Sequence, residues 1–170
     1  IQTIQVQVYL NATVTGLTDC QVSTIRRATN TALGSYIKAI NYPQTMNSTG
    51  ISTVDTLPRD SNEAYLSIMA HNGGGKITGG ECVVNGNSVI DPISQELDDY
   101  IVNARGLAAV DGVFNYSFSD GSIKGILPMQ GVTELRLKTT FGTAPENSNY
   151  DLIAVSIRNV PAQMLAAVRA

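Results

Sequence analysis

Polar and apolar residues alternate through much of the second half of the chain. The clearest case is the stretch 132–141, in which Leu135, Leu137, Thr139 and Phe141 share one face and charged or polar residues occupy the other. A period of two is typical of half-buried antiparallel strands. We therefore predict four strands in close succession, at about 109–118, 122–127, 132–141 and 150–158.

Two of these strands have further apolar alternation. Phe114, Tyr116 and Phe118 share one face of the first. In the last strand Ile153, Val155 and Ile157 alternate with smaller or polar residues, which are Ala154, Ser156 and Arg158. Gly, Pro and Asn residues between the four segments indicate turns. Many short strands separated by such turns are typical of a sandwich or barrel.

The first 40 residues predict a strand followed by a helix. Residues 1–10 alternate cleanly between polar and apolar side chains. Thr18 and Gln21 have capping-box spacing, and apolar residues then recur at helical intervals as far as Ile40. We expect this helix to end near Asn41, because Pro43 disfavours helical geometry in the residue before it.

The middle of the chain predicts three further strands and two turns. The strands are expected at 51–57, 64–71 and 76–84, with a Gly-rich hairpin turn at 72–75 and an Asn85-Gly86 turn after the third.

A second helix is predicted from Asp91 to Arg105. Asp91 suits the N-cap, Pro92 the first helical position, and Gly106 the end of the helix. The expected apolar stripe of this helix comprises Ile93, Leu97, Tyr100, Ile101 and Ala104.

Composition and charge restrict the classes of function that this chain can have. The chain has 170 residues, 43% of them hydrophobic and only 15% charged, which suits one compact domain rich in strands and loops. Its formal net charge of −3 and the lack of a Lys/Arg block argue against direct nucleic-acid binding. No run approaches the roughly 20 apolar residues that a membrane-spanning helix needs.

No residue or motif gives strong evidence for a metal-binding or nucleotide-binding site. His71 is the only histidine, so a multi-histidine metal site is excluded. The Gly-rich segment that ends in Lys76 fails the phosphate-loop pattern twice, because Ala70 stands where a Gly is needed and Ile77 where Ser or Thr is needed. We interpret that segment as a hairpin turn, and His71 as a strand-end or loop residue.

The acidic residues and the cysteines also have simple structural interpretations. Glu96, Asp98 and Asp99 cluster on the second predicted helix, but adjacent residues cannot share a helix face. We expect them to form its solvated face. Cys20 and Cys82 are expected to be small buried residues. The sequence therefore predicts no catalytic, cofactor-binding or metal-binding residues, no cofactor and no enzymatic activity.

Five segments carry a resemblance to a known family. They are Thr24–Arg27, Thr56–Arg59, Val83–Gly86, Ile93–Ala104 and Gln130–Lys138. Together they resemble the second half of corticovirus-type major capsid proteins, which belong to the double jelly-roll lineage that includes tectiviruses and adenoviruses. The resemblance implies a mainly β fold, an antiparallel jelly-roll sandwich with two helices.

The resemblance also implies a division of the chain. Residues 1–40 would be a leading strand and connector helix, residues 41–160 the jelly-roll barrel, and residues 161–170 a C-terminal arm. The helix at 91–105 would lie in an inter-strand crossover, and 135–141 and 152–160 would be the last two strands. A double jelly roll needs two barrels and this chain has room for one, so it either lacks a first half or is a single-barrel coat protein.

The implied function is that of a structural coat protein in the virion, which assembles into an icosahedral capsid through jelly-roll capsomers. The implied partners are further copies of the chain, as a trimer, other capsid or membrane-associated viral proteins, and the internal membrane. Two alternatives stay open: a carbohydrate-binding or adhesion module, and a viral spike or vertex protein. The chain has no Trp and its seven tyrosines are scattered, which gives the carbohydrate alternative no evident stacking platform.

Overall fold

The computed structural model describes residues 35–72, 76–119, 125–145 and 148–159. They all belong to a compact unit that spans residues 33–170. The elements, in chain order, are β1 (Tyr36–Thr45), β2 (Gly50–Val54), β3 (Glu63–His71), β4 (Ile77–Val84), β5 (Asn87–Ser94), α1 (Gln95–Ala104), β6 (Val113–Ser117), β7 (Leu127–Pro128), β8 (Leu135–Phe141) and β9 (Asn149–Arg158). The strand predicted at 1–10, residues 18–34 of the predicted connector helix, and the arm predicted at 161–170 lie outside the described residues.

The strands form two antiparallel sheets. The first sheet has the order β1-β9-β3-β6, with the short β7 paired to β3, and the second has the order β2-β8-β4-β5. The chain passes back and forth between the sheets, and this strand order is that of a jelly-roll sandwich. The mainly β, antiparallel jelly-roll prediction is therefore confirmed. α1 lies between β5 and β6, so the predicted inter-strand helix is also confirmed.

The hydrophobic core fills the space between the two sheets. Its largest fully buried apolar side chains are Tyr65, Tyr116, Phe114, Phe141, Ile68, Met129, Leu135, Leu137 and Leu152. The rings of Phe114 and Tyr116 meet edge to face with centroids 4.9 Å apart. The Tyr116 hydroxyl donates to the Lys138 carbonyl oxygen at 2.8 Å and lies 2.7 Å from the Thr139 hydroxyl, so the polar tip of this ring is paired. The apolar faces predicted for 114–118 and 135–141 both point into this core.

In β9 the buried face is the one opposite to the three β-branched residues Ile153, Val155 and Ile157. Leu152, Ala154 and Ser156 are buried, whereas Ile153, Val155 and Ile157 lie half-buried on the outer face. β9 pairs with β1 on one side and with β3 on the other, and Ala154 lies opposite Ile68. The outer face of the first sheet is therefore apolar along its central strand, unlike the polar outer face usual in an antiparallel sandwich.

The prediction that residues 36–40 are helical is wrong. They begin β1, which pairs with β9 along its whole length from Tyr36 opposite Arg158 to Thr45 opposite Asn149. β1 is an edge strand, where a proline such as Pro43 is tolerated because an outward-facing position needs no N–H group for the ladder. Apolar residues at positions 36, 37 and 40 suit either a helix or a strand, and the long-range pairing with β9 decides between them.

The predicted start of the second helix is also wrong. Asp91 and Pro92 belong to β5, an edge strand with irregular pairing to β4, and the N-cap is Ser94. The Ser94 hydroxyl accepts a hydrogen bond from the Leu97 N–H at 3.3 Å. The predicted end is confirmed, since Gly106 has a φ of 78° and donates to the Asn103 carbonyl oxygen at 2.9 Å.

The two predicted turns in the middle of the chain had different outcomes. Asn85 and Gly86, with φ values of 50° and 80°, join β4 to β5 in a two-residue hairpin, as predicted. The Asn85 side-chain oxygen also accepts from the N–H groups of Thr133 and Glu134. The hairpin predicted at 72–75 is wrong, because β3 and β4 belong to different sheets. Residues 73–75 themselves lie outside the described part.

The strand predicted at about 122–127 is largely not supported. Residues 120–124 lie outside the described part, and of residues 125–127 only Leu127 belongs to a strand. That strand is the two-residue β7, which pairs with Ala64 and Tyr65 of β3. The strands predicted at 51–57, 64–71, 76–84, 132–141 and 150–158 correspond to β2, β3, β4, β8 and β9.

Candidate functional site

The residues weighed for chemistry do not come together in the structure. His71 is exposed at the end of β3, as expected for a strand-end residue. Cys82 is fully buried in β4, and burial raises the pKa of its thiol to about 12. Cys20 lies outside the described residues. Within the described ranges, no three His, Cys, Asp or Glu side chains are placed to hold a metal ion.

The helix α1 packs with a polar face against the barrel. The residues of α1 that are buried or half-buried are Gln95, Asp98, Asp99, Ile101 and Val102, so polar side chains make up most of the packed side. The predicted stripe is wrong for Leu97, Tyr100 and Ala104, which are exposed, whereas its other members Ile93 and Ile101 are half-buried.

Asp98 is the most unusual residue of this face. It is only 3% exposed, so its assignment to a solvated face is wrong. One carboxylate oxygen accepts hydrogen bonds from the Asn115 backbone N–H at 2.9 Å and from the Asn115 side-chain amide at 3.3 Å. Burial raises the pKa of Asp98, and these hydrogen bonds from Asn115 oppose the rise. Nearby, Gln95 donates to both Asp99 and the Val113 carbonyl oxygen at 2.8 Å.

An ionic cluster around the buried Glu63 connects the start of β3 to the end of β9. Glu63 is 2% exposed and accepts a hydrogen bond from the Ser156 hydroxyl at 2.5 Å. Arg158 places its guanidinium 3.0 Å from Glu63 and 3.2 Å from Asp60. Close by, the Tyr65 hydroxyl donates to the Pro58 carbonyl oxygen at 2.9 Å. These contacts hold neighbouring segments in place, and we interpret the cluster as structural.

Exposed apolar side chains form two groups. The large ones among the described residues are Tyr36, Ile37, Ile51, Val89, Leu97, Tyr100, Leu107 and Val110. The first three belong to β1 and β2, the strands that begin the order of each sheet. The other five belong to β5, α1 and the segment that leads into β6. We name these groups the β1–β2 edge and the α1 edge.

The α1 edge also contains a cleft. Val89 and Ile90 of β5, Ser117 at the end of β6, Phe118 and Leu127 line a cavity of about 190 Å³. Residues from β5 and β6 lie on the same cleft, so the last strands of the two sheets are adjacent, and β1 and β2 lie at the opposite side of the sandwich. Sequence reasoning missed both edges, because apolar residues at strand or helix spacing are ordinarily core residues.

Comparison with known proteins identifies the family of this barrel. The model of the viral coat protein P2 C-terminal domain matches residues 36–157. This match begins at the first residue of β1 and ends one residue before the end of β9. No curated protein matches the chain.

Two solved capsid structures have a similar fold. The crystal structure of the major capsid protein P2 from bacteriophage PM2 is similar at a TM-score of 0.67 and 19% identity, with 79% of this chain and 49% of that chain covered. A quasi-atomic model of the PBCV-1 virus capsid is similar at a TM-score of 0.52 and 10% identity, with 76% of this chain and 49% of that chain covered. This chain therefore spans about half the length of either protein.

These findings confirm the resemblance to one half of a corticovirus-type capsid protein. The match covers every described strand and the helix between β5 and β6. The role of this family is that of a structural coat protein of the virion. The chain belongs to the family of the viral coat protein P2 C-terminal domain.

Proposed function

We propose that this chain builds a viral capsid by self-association of its jelly-roll barrel into closed capsomers, most simply trimers. The observation that carries the proposal is the family match over residues 36–157, which spans the barrel. Coat proteins act through repeated, symmetric contacts between subunit surfaces rather than through a reactive centre. The structural features that suit this role are a sandwich of two antiparallel sheets and exposed apolar side chains at both of its edges.

The proposed role is structural and not enzymatic. The described acidic side chains that are buried have structural partners, since Asp98 accepts from Asn115 and Glu63 pairs with Arg158 and Ser156. The half-buried Glu81 likewise receives Lys138 at 2.8 Å. These contacts support a structural role for the three acidic side chains.

The proposed partners are other copies of this chain, other capsid proteins and the membrane inside the virion. Nucleic acid is not among them, because the net charge of −3 gives no favourable interaction with phosphates. In the part of the chain that the structure describes, no helix has the length and apolar character needed to cross a membrane. The C-terminal arm at 161–170 and the contact with the internal membrane both stay predictions.

The alternative of a carbohydrate-binding or adhesion module has less support. Sugar-binding surfaces use exposed aromatic rings as stacking platforms. Among the described residues the exposed aromatic side chains are Tyr36 and Tyr100, and these lie on opposite edges of the sandwich. Two rings so placed do not form one platform.

The test is the absolute mass of the purified chain, measured by light scattering on a sizing column over a range of concentrations. We expect a stable trimer or a larger closed ring that is not five-fold. A mass of five copies would favour the alternative of a vertex protein, because icosahedral vertices have five-fold symmetry. A folded monomer at every concentration would contradict the proposal.

A further inference from the structure

The outer face of the first sheet is apolar across two neighbouring strands, β1 and β9. Residues that lie opposite each other in an antiparallel pair place their side chains on the same face. The apolar residues that the pairing of β1 with β9 places on this outer face are Ile37, Ala39, Ile153, Val155 and Ile157. Ile37 is 69% exposed, and Ala39 is also exposed. We name the surface formed by these five side chains the β1–β9 face.

The side of this face next to β3 is covered by the chain itself. Ile126, which precedes β7, is 3% exposed and packs with Ala64 and Leu66 of β3 and with Ile157 of β9. Ala64 lies opposite Ile157, so this cluster is on the outer face of the sheet. The exposure of Ile37 shows that the side next to β1 is open. The open part of the face is therefore about two strands wide.

The chain leaves β9 at one end of this face. β9 ends at Arg158, and Asn159 has a φ of 56°, a left-handed conformation that ends the extended course of the strand. The Ser35 hydroxyl donates to the Asn159 carbonyl oxygen at 2.8 Å, which holds this turn beside the start of β1. Residues 160–170 belong to the same compact unit as the sheet. They therefore begin at the end of the β1–β9 face where Ile157 lies.

The sequence of residues 161–169 suits a short helix with one apolar side. Its larger apolar residues recur at the i, i+3, i+4 and i+7 positions of one helix face, and they are Pro161, Met164, Leu165 and Val168. A helix over these residues spans about 12 Å and is about 10 Å wide. The β1–β9 face spans about 13 Å from Ile157 to Ile153, and two strands span about 10 Å. The segment therefore matches the open face in length and width.

The charges of the segment and the face are complementary. Asp151 follows Ile153 on the outer face of β9, and its carboxylate accepts a hydrogen bond from the Asn41 side chain at 2.9 Å. A helix that starts beside Ile157 and runs towards Ile153 ends at Arg169, next to this carboxylate. A basic side chain is also favourable in the last turn of a helix.

We infer that residues 161–169 form a short helix that folds back over the β1–β9 face of their own barrel, with Met164, Leu165 and Val168 against it. Both apolar surfaces are then removed from water. The inference does not depend on the proposed capsomer, and the segment lies beyond the family match, which ends at residue 157. A β1–β9 face covered in this way is not available to a second copy or to a membrane.

The first test places one cysteine on each side of the proposed contact, by Ala39→Cys on the face and Leu165→Cys on the segment. Cys20→Ser removes a competing thiol, and Cys82 is buried. Mild oxidation is expected to form a disulfide within one chain, seen as a monomer of altered mobility on a non-reducing denaturing gel. Ala39→Cys with Gln163→Cys is the control, because position 163 lies on the opposite side of the predicted helix, and it is expected to crosslink less.

The product of the oxidation distinguishes the possible occupants of the face. Crosslinked dimers as the main product would show that the segment reaches a neighbouring copy, and would overturn the inference. Absence of any crosslink to position 39 would also overturn it. Mixing the two single-cysteine variants checks the assignment, since a contact within one chain gives no crosslink between them.

The second test compares two double variants with equal added charge. Met164→Asp with Leu165→Asp places carboxylates in the proposed contact, whereas Gln163→Asp with Ala166→Asp places them on the opposite side of the helix. The first is expected to lower the urea midpoint and to speed labelling of a thiol introduced by Ala39→Cys about tenfold, because it opens the covered face. The second is expected to change neither. Equal labelling rates in both double variants would overturn the inference.

A membrane is the remaining alternative occupant for the segment. Vesicles of phosphatidylethanolamine and phosphatidylglycerol are the probe, and the full chain is expected not to cosediment with them through this segment. Cosedimentation that is lost in Met164→Asp with Leu165→Asp, together with a freely labelled thiol at position 39, would assign the segment to lipid and overturn the inference. The mass on the sizing column tests the proposed function separately, so either proposal can fail without the other.

Discussion

The interior of the sandwich and the helix α1 place their side chains by opposite rules. Between the sheets, the large apolar side chains of Phe114 and Tyr116 are fully buried. On α1, the carboxylate of Asp98 is buried at 3% exposure, while Tyr100 is 71% exposed. The interior follows the usual order of apolar inside and polar outside, and α1 departs from that order at these two positions.

The difference has a physical cause in the partners that each region has within the chain. Apolar interior side chains need only close packing, which the two sheets supply. A buried carboxylate needs hydrogen-bond donors, and Asp98 finds two of them on Asn115. Asp98 also lies near the N-terminus of α1, where a negative charge is favourable. Polar contacts therefore help to anchor α1, and its exposed residues Leu97 and Tyr100 remain available for another surface.

The largest expected effect is in the interior. Phe114→Ala should lower the free energy of unfolding by about 3–5 kcal/mol, because it removes a fully buried ring and leaves a cavity beside Tyr116. Urea denaturation followed by circular dichroism measures this loss. Phe114→Leu is the control, and it should cost less because it leaves a smaller cavity. A loss below about 1 kcal/mol for Phe114→Ala would show that the region is not tightly packed.

A smaller effect is expected at the polar anchor of α1. Asp98→Ala should lower the free energy of unfolding by about 2 kcal/mol, because it leaves the Asn115 N–H group and side-chain amide without their acceptor. The same denaturation experiment measures it. Asp98→Asn keeps an acceptor oxygen and should lose less than Asp98→Ala. Equal stability of Asp98→Ala and the wild type would mean that α1 is held by other contacts.

The contribution of Asp98 to folding stability should depend on pH, which gives a second test of its burial. Its pKa is raised chiefly by burial, with Asp99 adding to the rise, and the Asn115 hydrogen bonds and Arg105 opposing it. A carboxyl whose pKa is higher in the folded state than in the unfolded state binds more protons when folded, so its contribution to stability grows as pH falls through the folded pKa.

We therefore expect the wild type to gain stability relative to the Asp98→Asn variant as the pH falls from 7 towards the usual Asp value of 3.8. The measurement is the difference in unfolding free energy between the two proteins at several pH values. Because the variant keeps every other titrating group, that difference isolates Asp98. A difference that moves in favour of the variant on acidification would refute the assignment.

The smallest expected effect is on the exposed side of α1. Tyr100→Ser should change the free energy of unfolding of the monomer by no more than about 0.5 kcal/mol, because the ring is exposed and the two residues have similar helix propensity. Thermal unfolding at low protein concentration measures it. A loss as large as that of Phe114→Ala would show that Tyr100 packs within its own chain, and would remove the contrast between the two regions.

The strands β8 and β9 show when a hydropathy pattern can predict which face of a strand is buried and when it cannot. In β8, charged residues such as Arg136 and Lys138 separate the apolar ones, so the buried face was predictable from the sequence. In β9, apolar residues lie on both faces, and hydropathy alone favours the larger Ile153, Val155 and Ile157 as the core. The structure buries the opposite face because the pairing of β9 with β1 and β3 sets its orientation.

Capping signals in the sequence also cannot decide where a helix begins when strand pairing competes with them. Asp91 followed by Pro92 is a good helix start in isolation, and so is Ser94. The choice between them depends on the pairing of β5 with β4, which keeps residues 91 and 92 in an edge strand. The burial of Asp98 was likewise hidden from the sequence, because its donor residue Asn115 is 17 positions away.

The amino-acid sequence by itself determined the features that depend only on residues close together along the chain. The alternation of β6 and β8, the left-handed conformations of Asn85 and Gly86 in a hairpin, and the helix end at Gly106 all follow from a local period or a backbone preference. Other features depend on contacts distant along the chain, and only the tertiary structure decided them. The strand at Tyr36–Thr45, the separation of β3 and β4 into different sheets and the polar packing face of α1 are of this kind, because each requires a partner that no local pattern identifies.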